Sequence, residues 1–465
     1  MKIPRLLIAG THSGVGKTTM TLAVALALRR AGLRVQPFKT GPDYIDPEFL
    51  GKAAGRHCRN LDTWLVPGEG TATLFESSSR GADLALIEGV MGLYDGAGAT
   101  GEESSTAELA KRLRCPVLLV LDASALSRSA AALVLGFQAL DRRIRIAGCL
   151  VNRVAGEGHY KLVKQAVEKL AGVPVVGWLP REAGIHLPER HLGLVPAAER
   201  KGLRETFGRL QKLSLGKLDL PAIRRIAQGA GPLPLAPGLV ERRSSGGIVP
   251  IAVAMDEAFH FYYRENLELL ERFGAEIVPF SPLRARTLPK KVRALYLGGG
   301  FPEVFAPALA RNRRLRQEIH RAVAVGMPTY AECGGLMYLC RSISDGNRRR
   351  HPMVGLLPAE VRMTDRLQNF GYQEVQARGA NLLARAGEKA RGHEFHHSLL
   401  EGPPAARRAA YQVRRRQGGG SRLEGYAKGS LLASYVHLHF WSQPRWAERF
   451  VQSARSTINR QDDRR

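Results

Sequence analysis

Two groups of residues on this 465-residue chain have the types and spacing for chemistry. The first is Gly10-Thr-His-Ser-Gly-Val-Gly-Lys-Thr18, set between the apolar run Leu6-Leu7-Ile8-Ala9 and the helical stretch Met20 to Leu28. Strand, glycine-rich turn and helix in that order aim backbone N–H groups at one point, where they can cradle phosphates. Gly14, Val15, Gly16 and Thr19 are the expected ATP-binding loop residues. Lys17 would reach the terminal phosphates, and Thr18 would offer its hydroxyl to Mg²⁺. The loop is a variant, because counting back from Gly16 by the usual spacing lands on Thr11 rather than Gly10. The second group is Ala331-Glu-Cys-Gly-Gly335, a strand turning sharply into a helix with a thiol at the turn. Small residues on both sides of such a turn let the strained backbone expose its nucleophile. Cys333 at the positive end of a helix is expected to have a lowered pKa. Together the two groups imply an enzyme coupling ATP cleavage to a cysteine reaction.

Further polar residues cluster around each group. Asp83-Leu-Ala-Leu-Ile-Glu88 reads as a buried strand ending in an acid, which makes Glu88 a candidate Mg²⁺ ligand. Asp95, soon after it, could bind metal, orient substrate or cap a turn. In Phe38-Lys-Thr-Gly-Pro-Asp43-Tyr-Ile-Asp46, two carboxylates follow a short strand and face the phosphate loop. Near the thiol, the strand Leu295-Tyr-Leu-Gly298-Gly-Gly300 ends in glycines; the N–H groups of Gly299, Gly300 and Gly334 could form an oxyanion hole. Ala433-Ser-Tyr-Val-His437-Leu-His439 reads as a strand with both histidines on one face, either of which could be the base for Cys333. His393, His396 and His397 have the look of a metal cluster; without a cysteine or spaced carboxylate, a substrate-facing or structural role is favoured over zinc.

The elements that must position these residues alternate strand and helix. Strands are expected at 5–9, 34–38, 83–88, 116–122, 145–152 and 174–178, a pattern of parallel crossovers making an α/β domain from 1 to 228. Residues 229–248, rich in Gly, Pro and Ser, read as a linker; a second α/β unit spans 249–452, and 453–465 read as a polar, frayed tail. Five cysteines, at 58, 115, 149, 333 and 340, are too few and too irregular for a disulfide framework, so a reducing, cytoplasmic setting is expected. No apolar run reaches membrane-spanning length and no secretory leader is read. The formal charge of +27 is scattered, apart from Arg407-Arg408 and Arg414-Arg415-Arg416. With no nucleic-acid-binding motif beside those runs, specific nucleic-acid binding is not expected, although the positive field would concentrate a polyanionic substrate.

The combination Phe38–Pro47, Ile87–Gly96, Leu187–Leu194, Ala331–Gly335, Gly392-His-Glu-Phe-His396 and Ser434–Phe440 resembles the cobyrinic acid a,c-diamide synthase family. The resemblance implies a P-loop domain similar to dethiobiotin synthetase joined to a class I glutamine amidotransferase domain. It implies ATP- and glutamine-dependent amidation of a corrin polycarboxylate in cobalamin biosynthesis, with Mg²⁺. It places Lys17, Thr18, Asp46 and Glu88 around ATP and metal, Asp43, Tyr44 and Asp95 near the carboxylate being activated, and Asn152 at the adenine edge or as a strand cap. Cys333 becomes the nucleophile and His437 its base; the Glu usual two residues after that histidine is His439 here, implying a dyad. Leu50 stands where the family pattern has His, which bears on substrate positioning. Ni-sirohydrochlorin and hydrogenobyrinate are alternative substrates, and a partitioning or regulatory ATPase or a basic nucleic-acid binder are the readings from other classes. The oligomeric state stays open, with a homodimer one option.

Overall fold

The computed structural model describes residues 3–181, 197–233, 247–402 and 406–462. These fall into two units, 3–181 with 197–233, and 247–402 with 406–462. The motif Leu187–Leu194 and residues 234–246 of the expected linker lie outside the described residues.

Seven strands of the first unit are β1 (Arg5–Gly10), β2 (Val35–Thr40), β3 (Arg59–Leu61), β4 (Leu84–Gly92), β5 (Val117–Asp122), β6 (Ile146–Val154) and β7 (Val175–Pro180). They form one parallel sheet in the order β3-β2-β4-β1-β5-β6-β7. Runs such as Leu6-Leu7-Ile8 and Val117 to Leu121 are wholly buried, as a sheet covered by helices on both faces requires. The chain leaves β1 toward β2 on one side and later returns to β5 on the other, so the strand order reverses beside β1 and β4. Ligands of doubly wound sheets bind at the carboxyl ends of strands at such a reversal. The phosphate loop, Lys39 and the end of β4 all lie there. Arg5 is fully buried at the start of β1, donating to the carbonyls of Leu113 at 2.6 Å, Ile3 at 2.9 Å and Gly231 at 2.5 Å.

The second unit is built on a six-stranded sheet in the order Ala275–Phe280, Val249–Ala254, Ala294–Leu297, Thr329–Glu332, Leu431–Ser434 and Tyr426–Lys428. Its first five strands are parallel and the last is an antiparallel edge. Alternation is interrupted by a mixed four-stranded sheet and an antiparallel five-stranded sheet, which the sequence reading did not separate. One of their strands, Lys389–His396, carries Gly-His-Glu-Phe-His and pairs with His437–Leu438. The chain beyond 452 corrects the expectation of a frayed tail: the last helix runs Pro444–Asp462. Trp446, Phe450 and Ala454, one helical turn apart, are buried, and Arg455 donates to the Phe273 carbonyl at 2.7 Å. Among the described residues, no helix is long and apolar enough to cross a membrane.

Candidate active site

The first candidate site grows from the turn after β1. Gly14 and Gly16 have φ of 82° and 92°, the left-handed region that suits glycine. At Gly16 a side chain would also strike Asn152, its Cβ lying 2.1 Å from the Asn152 Nδ2. Asn152 is buried and donates to the Val15 carbonyl at 2.9 Å. It therefore braces the phosphate loop from the end of β6. The helix Lys17–Arg30 starts at once, with Lys17 buried and Thr18 on its first turn.

Register explains what faces the loop. Glu88 on β4 sits between Ile8 on β1 and Lys39 on β2. Its Oε1 accepts from the Thr18 hydroxyl at 2.6 Å and from Lys39 Nζ at 2.7 Å. Lys39 also reaches Asp46 Oδ2 at 2.7 Å. Half-buried Thr18 and buried Glu88, Lys39 and Asp46 thus form one chain of contacts. Burial opposes the charge on Lys39, but Asp46, Glu88 and Asp43 together raise its pKa. Glu88 has its pKa raised by burial, against the pull of Lys39. Its Oε2 is buried without a hydrogen bond. A buried, unsatisfied carboxylate oxygen beside a threonine hydroxyl and a second carboxylate is the oxygen donor set that Mg²⁺ takes, with phosphate and water completing it. Among the described residues no three His, Cys, Asp or Glu side chains close on one point, so any metal here leans on non-protein oxygens.

Asp43 lies half-buried in the turn after β2, its Oδ1 accepting from the N–H of Ile45 at 2.8 Å and of Asp46 at 3.1 Å. It shapes the turn that presents half-buried Tyr44 and buried Asp46. Asp95, read with three alternatives, caps a turn: its Oδ2 accepts from the Gly92 N–H at 2.8 Å. That turn touches the phosphate loop, because the Leu93 N–H bonds the Gly10 carbonyl at 2.8 Å. Lys39 had been given no role. Its signal was a lysine inside the otherwise uncharged strand Val35–Thr40, where an ammonium must find a partner.

The second site is an elbow. Cys333 follows the strand Thr329–Glu332 with φ 46° and ψ −103°, a strained conformation for a residue with a side chain, and the short helix Gly334–Leu339 begins directly after it. Its N–H donates to the Ser434 carbonyl at 2.7 Å. A Cβ on Gly335 would lie 2.2 Å from the Leu297 carbonyl oxygen, so the helix passes too close to the neighbouring strand for any side chain. A Cβ on Gly334 would meet the Gly300 nitrogen at 3.0 Å, and one on Gly299 would meet His437 Cε1 at 2.3 Å. Gly299, Gly300, Gly334, Cys333 and the His437 ring are thereby brought together.

The electrostatics correct one expectation. Burial raises the Cys333 pKa, and Glu303 and Glu394 add to it, so the helix start does not leave a free thiolate. Burial pushes His437 down to about 3, helped by His393 and His396. The resting pair is therefore thiol and neutral imidazole, a donor beside a base. The shared face expected of His437 and His439 is also corrected. The strand is only His437–Leu438, and His439 lies buried with its Nε2 3.2 Å from Glu265 Oε1 and its ring 4.7 Å from that of Tyr263. His396 is tied to Glu394 at 2.9 Å and stacks on Tyr435 at 3.9 Å, while His393 pairs in register with His437.

Residues 6–195 match the model of the CobQ/CobB/MinD/ParA nucleotide binding domain, and 250–445 that of the CobB/CobQ-like glutamine amidotransferase domain. A cobyrinate a,c-diamide synthase from Listeria monocytogenes serotype 4b (strain F2365) is 44% identical over 441 residues, 94% of this chain and 96% of the relative. The chain belongs to the cobyrinate a,c-diamide synthase family. Relatives with that name from Priestia megaterium, 41% identical over 99% of both chains, and Thermoplasma volcanium, 43% identical over 97% of both, agree in extent. In this member of the family Leu50 is a core residue, 1% exposed and in the same apolar cluster as Leu22, Leu26 and Phe49.

Proposed function

We propose that this protein is a carbon–nitrogen ligase that uses ATP and glutamine to amidate the a and c carboxylates of cobyrinate. The observation that carries this is similarity along nearly the whole chain to synthases of that name, with both candidate sites lying inside the matched regions.

At the nucleotide site a substrate carboxylate oxygen attacks the γ-phosphorus and ADP leaves, giving an acyl phosphate. Ammonia then attacks the acyl carbon and phosphate departs. The activation is needed because oxide is a poor leaving group. Lys17 and the loop N–H groups stabilise the migrating charge. Thr18, Asp46 and Glu88 would hold Mg²⁺, which supplies charge neutralisation to the phosphates. Asp43, Tyr44 and Asp95, on the two turns beside the loop, are assigned to the substrate side. At the elbow, His437 takes the Cys333 proton as the sulfur attacks the carboxamide carbon of glutamine, and returns it to the departing ammonia. The N–H groups of Gly299, Gly300 and Gly334 are assigned to the oxyanion. Water then hydrolyses the thioester to glutamate.

The test is mass spectrometry of products from the purified protein with ATP, Mg²⁺ and glutamine, using cobyrinate, hydrogenobyrinate or Ni-sirohydrochlorin. A monoamide that rises and then declines as diamide accumulates from cobyrinate is the expected result. Amidation of one of the other tetrapyrroles alone would reassign the substrate, and amidation of none would overturn the reading.

A further inference from the structure

In triads of the glutamine amidotransferase kind, an acid orients the catalytic imidazole from two residues downstream. Here that position is His439, and its Nε2 is engaged by Glu265 at 3.2 Å. Something else must fix His437. The residue before the nucleophile, Glu332, carries a carboxyl group that is only 2% exposed, and burial raises its pKa to about 7. Its Oε1 accepts from the Leu438 N–H at 2.8 Å and the Tyr330 hydroxyl at 2.5 Å, and its Oε2 accepts from the Tyr296 hydroxyl at 2.8 Å. The next peptide is held as well, the Leu438 carbonyl accepting from Asn266 Nδ2 at 2.7 Å. Asn266 also accepts from the Phe440 N–H at 2.8 Å.

Resting on the glutaminase reading above, we propose that Glu332 is the positioning residue of the Cys333–His437 pair, setting the imidazole through the backbone of Leu438. One carboxylate then links the residue before the nucleophile to the residue after the base. A buried carboxyl group is a costly choice for mere packing, where an apolar side chain would serve. Its use here is geometric: three donors converge on it, and they fix the distance between two strand ends. The two tyrosine hydroxyls hold the carboxyl group, and Asn266 holds the next peptide at the Leu438 carbonyl. A displacement of about 1 Å at a catalytic pair can cost roughly 100-fold in rate.

The experiment measures glutaminase kcat and KM, the rate of Cys333 alkylation by iodoacetamide, and amidation with ammonium salt, for the full chain. Glu332→Ala should lower glutaminase kcat by roughly 100-fold, leave KM for glutamine and ammonium-dependent amidation near wild type, and slow alkylation. Glu332→Gln, which keeps an acceptor for the Leu438 N–H, should recover most of kcat. Tyr296→Phe and Tyr330→Phe, which keep that bond and remain informative should Glu332→Ala not fold, should each lose kcat by a smaller factor with KM unchanged. Wild-type kcat in a folded Glu332→Ala, or a rise in KM alone in the tyrosine variants, overturns the proposal and leaves the glutaminase reading standing. A wild-type protein without glutaminase activity overturns both.

Discussion

At residue scale the two candidate sites use opposite electrostatic devices. The nucleotide site buries charge against charge, with Lys39 between Asp46 and Glu88. At the thiol site the Cys333–His437 pair is buried neutral and becomes charged only during turnover. Separate failures follow. Cys333→Ala should abolish glutamine-dependent amidation and spare the ammonium-dependent reaction, whereas Glu88→Gln should remove both, as measured by product formation with each nitrogen source. His437 also predicts a pH effect on stability. Its pKa is about 3 when folded, against an ordinary value of 6.5. The unfolded chain therefore binds the proton first, so the stability this group contributes is present above pH 6.5 and is lost as pH falls toward 3. Between pH 7 and 4.5 the wild type should lose about 2 kcal/mol more than His437→Gln in urea denaturation. Equal losses would place His437 in contact with water.

At the scale of elements, the parallel sheet was legible because several of its strands carry apolar runs, as in Leu6 to Ala9 and Val117 to Leu121. The three-residue strand β3, Arg-Asn-Leu, has no such pattern and is held by pairing with β2. The elbow was legible from Cys333 and its flanking glycines, since few residues fit a strained strand-to-helix turn. Asn152 could not be placed from sequence, because its bond to Val15 spans 137 positions. Glu332 and Asn266 were missed for the same reason: their partners Leu438 and Phe440 are distant in sequence. Lys39 alone left a local trace. The closeness of elbow and strand gives a further prediction. Gly335→Ala would drive a Cβ to within 2.2 Å of the Leu297 carbonyl oxygen, which belongs to a strand and cannot yield. It should cost about 3 kcal/mol in urea denaturation, while Gly346→Ala, with nothing within 4 Å, should cost almost nothing.

At the scale of the whole molecule, the formal charge of +27 stands against a substrate bearing several carboxylates. Each amidation removes one negative charge from that ligand, so attraction weakens from substrate to monoamide to diamide. Exposed charges are screened within about 8 Å at physiological ionic strength. Raising salt should therefore increase KM for the tetracarboxylic or higher substrate more than for its monoamide, and change KM for zwitterionic glutamine least, in steady-state kinetics at constant Mg²⁺. A uniform salt effect on all three would mean the overall field plays no part in recruitment.

Arg5 carries a consequence for how the chain is made. Its guanidinium is buried at the start of the central strand, and one of its acceptors is the carbonyl of Gly231, 226 residues downstream. Synthesis proceeds from the N-terminus at about 5–20 residues per second. The first strand to emerge from the ribosome must therefore wait on the order of ten seconds or more for the last carbonyl that satisfies it. Until then Ile3, Leu113 and Arg114 supply only part of the acceptors this guanidinium uses, and its final consolidation is timed by the arrival of the domain's own far end.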